Sequence, residues 1–284
     1  MRLIDFLEVH YRSEHALTLK PQSLDQLRYA VGSFSRHLTR PAMLNDLNKI
    51  AIIGWMAARR SAVAAATVNK ERRSILGIWR CAAALEMTAW PPAIQKLKTP
   101  THVPHTFTND EMTRMLAAAV TMPEHTFWRS LLLALFDTGS RVSAMLSVTI
   151  EDVNLTDKTI LLRAENSKTL QGQLLQIADD TVQAIAAHTL ARNPQSLVWN
   201  WPHHRRRLFV HFRRLCNAAA IKLPRFCCFH SIRRTTASHV ANTFGIETAS
   251  TLLGHSSIQV TKRYVRADQA SLLRLRIADQ LPRP

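Results

Sequence analysis

The sequence predicts a mainly helical protein in two parts, with a small antiparallel sheet in the second part. Three observations lead there. Apolar residues recur at three- and four-residue spacing through most of the first 90 positions and again beyond residue 108. Between these regions, a run holding Pro91, Pro92, Pro100 and Pro104 reads as a linker, about 91–106. Two short runs of strand character, Thr159 to Arg163 and Leu174 to Ile177, are placed to pair as a hairpin around Lys168.

In the first part, Leu3, Phe6, Leu7 and His10 mark a short helix. Pro21 suits a first helical position, and Leu24, Leu27, Ala30, Val31, Phe34 and Leu38 give the helix it opens one apolar face. A third helix is expected from about Leu47 to Arg59. A fourth runs from about Ala65 to Met87, with Val68, Ile75, Leu76, Ile78, Trp79 and Ala82 inward. Lys70, Arg72, Arg73 and Arg80 interleave with that stripe; they form either a solvated face or a surface that tracks phosphates. Trp90-Pro91-Pro92 should stop the helix, because proline offers no N–H and disfavours helix before it. The expected domains are thus 1–90 and 107–284, joined by 91–106.

In the second part, Thr108-Asn109-Asp110-Glu111 is a helix start with acidic residues in its first turn. Thr126 to Phe136 is almost entirely apolar and should be a central buried helix, followed by Thr138-Gly139-Ser140-Arg141. Ser143 to Leu146 starts another helix, and Asp179 to His188 forms the next. Asn193 to Trp201 is a loop, with a short strand expected at Leu197 to Trp199. His203-His204-Arg205-Arg206-Arg207 opens a helix reaching about Ala220. Arg205, Arg206 and Arg207 oppose the dipole of that helix start, a conflict that an anionic partner such as a DNA backbone resolves. Residues 268–280 are amphipathic through Ala270, Leu272, Leu273, Leu275 and Ile277.

Composition narrows the function. The net charge is +17 and the pI about 10.8. Residues 1–100 hold 15 Lys and Arg against 7 Asp and Glu, a net +8; residues 101–284 hold 22 against 13, a net +9. The charge is therefore not one basic tail, and both parts suit a polyanion. Of the four cysteines, Cys227 and Cys228 are adjacent, which is awkward for a disulfide; with Cys81 and Cys216 they show no zinc spacing. Reduced thiols in a cytoplasmic protein are expected. No run approaches the ~18 apolar residues of a membrane span, and the amino terminus lacks the pattern of a cleaved signal.

The chemistry concentrates between Phe226 and Val265. His230 and Arg233 are three apart and share a helix face. Gly254-His255 follows Leu252-Leu253 as at the end of a short helix, and Tyr264 lies nine positions later, past Ser256-Ser257. An arginine fork binds two phosphate oxygens at once. A histidine donates to an oxygen or moves a proton near neutral pH. A tyrosine becomes a nucleophile only where its phenolate is stabilised.

Thr-Gly-Ser-Arg141, Lys168 in a hairpin, His230-x-x-Arg233, Leu-Leu-Gly-His255-Ser-Ser and Tyr264, in that order, resemble the tyrosine recombinases of the phage-integrase family over about residues 105–270. The resemblance implies a C-shaped clamp on duplex DNA, with a helical core-binding domain ahead of the catalytic one. It implies that Arg141 and Arg233 hold the scissile phosphate and His255 bonds a non-bridging oxygen. Lys168 would protonate the leaving 5′-oxygen and His230 assist proton transfer. Tyr264 would form a 3′-phosphotyrosyl bond, and no metal or other cofactor is called for. It further implies an inverted-repeat core site, a tetramer on DNA, a Holliday junction, and a terminal helix that docks on a neighbouring protomer. The chain departs from the family pattern at Ala144, commonly acidic, and at Ser231, commonly Asp; Arg234 stands where His is frequent. Two other readings share much of this pattern: a type IB topoisomerase, and a DNA-binding protein that does not cut.

Overall fold

The computed structural model describes residues 1–100, 105–166, 171–224, 227–255, 257–262 and 265. It divides into two compact units, Met1–Thr101 and His102–Pro284.

Unit 1 is helical. Helix α1 (Leu3–Phe6) continues through a π-helical turn (Leu7–Tyr11) into α2 (Arg12–Glu14). Helix α3 (Pro21–His37) opens on its proline, and α4 (Lys49–Ala62) is capped by Asn48, whose Oδ1 accepts from Ala51 N at 2.9 Å. Helix α5 (Ala65–Ala84) closes the core, in which Phe6, Phe34, Ile52, Trp55, Ile75 and Ile78 are buried. A charged group sits among them. Glu71 is buried and takes a two-pronged bond from Arg59, 2.9 Å for each prong; Ser33 Oγ donates to it at 3.2 Å and in turn accepts from Trp55 Nε1 at 3.2 Å. The network satisfies a carboxylate that would be costly to bury alone, and it ties α3, α4 and α5 together.

Helix α5 stops well before the prolines. It ends at Ala84, and Glu86 adopts a left-handed conformation (φ 58°) that turns the chain back. The chain then runs along α5. Trp79 Nε1 donates to Ala89 O at 2.8 Å, Ile94 is buried, and Asn69 exchanges two 2.8 Å bonds with the backbone of Leu97. The first half of the stretch expected as linker is thus bound to unit 1.

Unit 2 begins with α6 (Asn109–Ala119), whose cap Thr108 and Glu111 bond each other's backbone reciprocally. Helix α7 (His125–Thr138) runs through the core, with Trp128, Leu131, Leu132, Ala134 and Leu135 buried, and the single turn α8 (Val142–Met145) follows. Strands β1 (Val153–Asn154), β2 (Thr159–Leu162) and β3 (Gln173–Gln176) form an antiparallel sheet in that order, with Val153 opposite Ile160 and Ile160 opposite Leu175. Helices α9 (Asp179–Thr189), α10 (Arg205–Ala218), α11 (Phe229–Phe244), α12 (Ile246–Leu252) and α13 (Ile258–Lys262) complete the described part. The expected class, mainly helical with a small antiparallel sheet, is what the chain adopts.

One strand carries no mark in the sequence, and one local expectation differs. Strand β1 is two residues long, too short for an alternating pattern to mark it. Leu197 to Trp199 is not a strand: it makes one isolated bridge, Thr149 to Leu197, while Val198 and Trp199 are buried and Trp199 Nε1 donates to Ser130 Oγ at 3.0 Å. Its strand-like composition serves core packing as well as that short pairing, in which Val198 N donates to Val148 O at 2.9 Å. Among the described residues, no helix is long and apolar enough to cross a membrane. All four cysteines are free, with Cys81 and Cys216 buried.

Candidate active site

The site is built around a corner. Helix α7 ends at Thr138, and Gly139 takes φ +60°. A Cβ there would lie 3.1 Å from Leu253 Cδ2 and 3.2 Å from Thr236 Cγ2, so both conformation and space favour glycine. Thr138 Oγ1 donates to Ala134 O at 2.6 Å and accepts from Ser140 N at 3.3 Å, which holds the corner and sets Arg141 at the start of α8. Arg141 is half-buried, and among the described residues no carboxylate pairs with it.

Arg233, in the second turn of α11, is only 3% exposed. Its Nη1 donates to Gly139 O at 2.8 Å; its Nη2 donates to Leu253 O at 2.8 Å and to His255 Nε2 at 3.0 Å. One guanidinium therefore joins the corner before Arg141, the end of α12, and His255. A second left-handed glycine, Gly254 at φ +58°, turns the chain from α12 so that His255 faces Arg233. The other ring nitrogen, His255 Nδ1, is 2.9 Å from Thr261 Oγ1 on α13.

His230 stands one turn before Arg233 on α11, with part of its surface exposed, and His255 is half-buried. Loss of solvent pushes the pKa of each ring down to about 4. For His230 the charges of Arg234, Arg233 and Arg141 add to this; for His255 those of Arg233 and Arg141, and then His230, do so. Both rings are thus neutral at neutral pH, and both feel the same two arginines. Four of the six residues expected to act on a phosphate share one electrostatic neighbourhood: two guanidiniums and two neutral imidazoles. Such a cluster suits a phosphodiester oxyanion.

The other two, Lys168 and Tyr264, lie outside the described residues, as does the amphipathic stretch 268–280. The structure does describe the anchorage of their neighbours. Gln173, first in β3, donates through Nε2 to Thr251 O at 3.1 Å and Leu252 O at 3.3 Å, and its side chain lies where a Cβ on Gly254 would be, 2.8 Å from Oε1. The hairpin base is therefore fastened beside the His255 turn. Thr261, three positions before Tyr264, is fastened to His255 itself. Neither Gln173 nor Thr261 was legible as a site residue. The spacing of Thr261 from His255 and Tyr264 was the one available signal; Gln173 had none.

The expected DNA-contacting cations divide. Lys70, Arg73 and Arg80 on α5 are exposed, as are Arg205, Arg206 and Arg207 at the start of α10, where His204 caps the helix by accepting from Arg206 N at 3.2 Å. Arg72 is different: it is half-buried and donates to Ile94 O, holding the strap along α5. Its guanidinium thus serves unit 1. Ala144, where the family is commonly acidic, packs on the apolar core of unit 2. Among the described residues, no group of three or more His, Cys, Asp or Glu is placed to hold a metal.

No curated protein sequence matches the chain. Solved structures share its fold. The lambda integrase tetramer bound to a Holliday junction is 18% identical, covering 94% of this chain and 78% of that one, with a TM-score of 0.75. The Tn1549 transposon integrase in complex with a circular intermediate DNA is 15% identical over 96% of this chain and 99% of that one, with a TM-score of 0.77. XerA recombinase is 18% identical over 99% of each chain, with a TM-score of 0.54. The model of the phage integrase family matches residues 105–271, the segment that holds every residue of the corner and of the His–Arg pocket. With that match over more than half its length, the chain belongs to the phage integrase family, the site-specific tyrosine recombinases.

Proposed function

We propose that the chain cuts and rejoins DNA at a specific site through a phosphotyrosyl bond made by Tyr264. The observation that carries this reading is the Arg233 guanidinium, which joins the Arg141 corner to His255 across 94 and 22 residues of sequence. Arg141 and Arg233 bind the non-bridging oxygens of the scissile phosphate. Without DNA, His255 Nε2 accepts from Arg233, since arginine has no lone pair to offer, and the ring is neutral with its proton on Nδ1. A phosphate in the pocket favours the imidazolium, so His255 gains a proton and Nε2 becomes a donor to the phosphate. Tyr264 Oη then attacks phosphorus and its proton passes to neutral His230. The bond to the 5′-oxygen breaks, and Lys168 protonates the leaving oxygen. In the second step, the 5′-hydroxyl of the other duplex attacks the phosphotyrosyl bond and the tyrosine regains its proton. Each bond made matches a bond broken, so no nucleotide hydrolysis is needed.

Lys70, Arg73 and Arg80 in unit 1, and Arg205, Arg206 and Arg207 in unit 2, grip the DNA backbone. Arg72, turned to Ile94 O, contributes to unit 1 instead. The likeness to a lambda integrase tetramer on a Holliday junction supports four protomers acting together on DNA; two inverted-repeat core sites are the substrate this reading calls for. The work is done on DNA in the cytoplasm, at the nucleoid.

The test is covalent capture. The full chain is incubated with a pool of nicked duplexes of random sequence, and adducts stable to detergent are isolated and sequenced. Adducts enriched for an inverted repeat, and lost in Tyr264→Phe, are expected. No adduct from any duplex, or one that persists in Tyr264→Phe, overturns the reading. Relaxation of a supercoiled plasmid that lacks the enriched sequence would assign topoisomerase action instead.

A further inference from the structure

Thr261 is fully buried, on the helix that leads to Tyr264, with Oγ1 2.9 Å from His255 Nδ1. The opposite nitrogen of that ring accepts from Arg233. An arginine only donates, so Nε2 must carry the lone pair and Nδ1 the proton. Nδ1–H therefore donates to Thr261 Oγ1. Among the described residues, the other charged or titratable groups that face the ring are Arg233 and His230 from α11 and Arg141 at the start of α8; the two arginines only donate, and Thr261 Oγ1 is the acceptor at hydrogen-bond distance from Nδ1.

We propose that Thr261 is a positioning residue: its hydroxyl takes the Nδ1 proton of His255, fixes the face the ring turns to the phosphate, and makes seating of α13 a condition for assembling the pocket. The inference rests on the recombinase reading for its catalytic consequence, though not for the tautomer. The hydroxyl suits both stages of the reaction. It accepts from Nδ1 when the ring is neutral, and accepts equally when Nε2 has gained a proton and donates to phosphate. Because Thr261 lies three residues before Tyr264 in the sequence, the same contact ties the segment leading to the nucleophile to the oxyanion-binding ring. A pocket reached without α13 in place would hold the ring by Nε2 alone, and would bind phosphate without cutting it.

The test compares Thr261→Val, which keeps shape but removes the hydroxyl, with Thr261→Ser, which keeps the hydroxyl. In the full chain labelled with 15N-histidine, the His255 resonances, assigned by their loss in His255→Gln, should report the Nδ1–H tautomer at pH 7.5. Thr261→Val should keep the tautomer that Arg233 sets but lose the slowly exchanging Nδ1 proton of a hydrogen-bonded ring, and Thr261→Ser should retain that proton. On the pooled nicked duplexes, Thr261→Val should slow single-turnover adduct formation about 10- to 100-fold, the scale set by one unsatisfied buried donor, with DNA binding unchanged. Thr261→Ser should recover most of the rate. An Nδ1 proton that exchanges as slowly in Thr261→Val as in the wild type, or a Thr261→Ser as slow in adduct formation as Thr261→Val, overturns the proposal. Failure of the wild-type chain to form any adduct would sink the recombinase reading separately, because the resonance measurement needs no DNA.

Discussion

Replacing Arg233 by lysine keeps the charge and removes the fork, which separates the structural tie from the phosphate binding proposed for the residue. The native guanidinium spans Gly139 O at 2.8 Å, Leu253 O at 2.8 Å and His255 Nε2 at 3.0 Å. A lysine ammonium is one point at the end of a flexible stem, and it cannot reach all three. Losing two charge-assisted bonds of about 1.5–3 kcal/mol each, less what entering water restores, leaves a cost of about 2–4 kcal/mol. That cost falls on the junction of α7, α11 and α12, so hydrogen exchange is the assay. Peptides from α11 and α12 should exchange about 30- to 1,000-fold faster in Arg233→Lys. Arg141→Lys is the control, because Arg141 has no carboxylate partner among the described residues; its stability change should stay within about 0.5 kcal/mol. Both variants should lose adduct formation. Equal exchange rates in the two variants would show that Arg233 does not hold the site together, and the structural half of the argument would fail.

Gly139→Ala forces a left-handed alanine against Leu253 and Thr236, and should cost unit 2 about 2–4 kcal/mol; a thermal melt within a degree of wild type would refute the need for glycine there. His230 and His255 sit near 4 when folded, against an ordinary value of 6.5, so their contribution to stability is full above 6.5, declines as pH falls toward 4, and is constant below. Denaturant unfolding from pH 7 to 4.5 should show that decline, and a His230→Gln, His255→Gln double variant should lose less over the same range. Replacing Arg205, Arg206 and Arg207 by glutamine should lower the slope of log binding constant against log salt by about 2.7, three phosphate contacts' worth. An unchanged slope would remove α10 from the DNA grip.

Much of this was legible in advance because its causes are local. The capping box at Thr108 and Glu111 and the proline opening α3 are set by neighbours within a turn. The apolar run of α7 marks a buried helix wherever the rest of the chain goes. The site's chemistry was readable too, since an arginine fork, an imidazole and a phenol in a set order have few joint uses. Other features needed distant parts of the chain. Helix α5 ends at a left-handed Glu86 and not at the prolines, because the return strap finds Trp79, Asn69 and Arg72 to bind. Arg72, one of four cations on the same helix, is drawn inward by a carbonyl 22 residues away.

By itself, the sequence determined the helical class, the basic partner surface, and the cast of residues able to work on a phosphate. Only the tertiary structure decided that Arg233 is a structural tie, and that Thr261 and Gln173 lie beside His255. The reason is physical: periodicity and capping depend on residues a few positions apart, whereas a hydrogen bond from a buried side chain depends on which carbonyl or ring the fold brings within 3 Å. That is a property of the packed chain, and no window of sequence contains it.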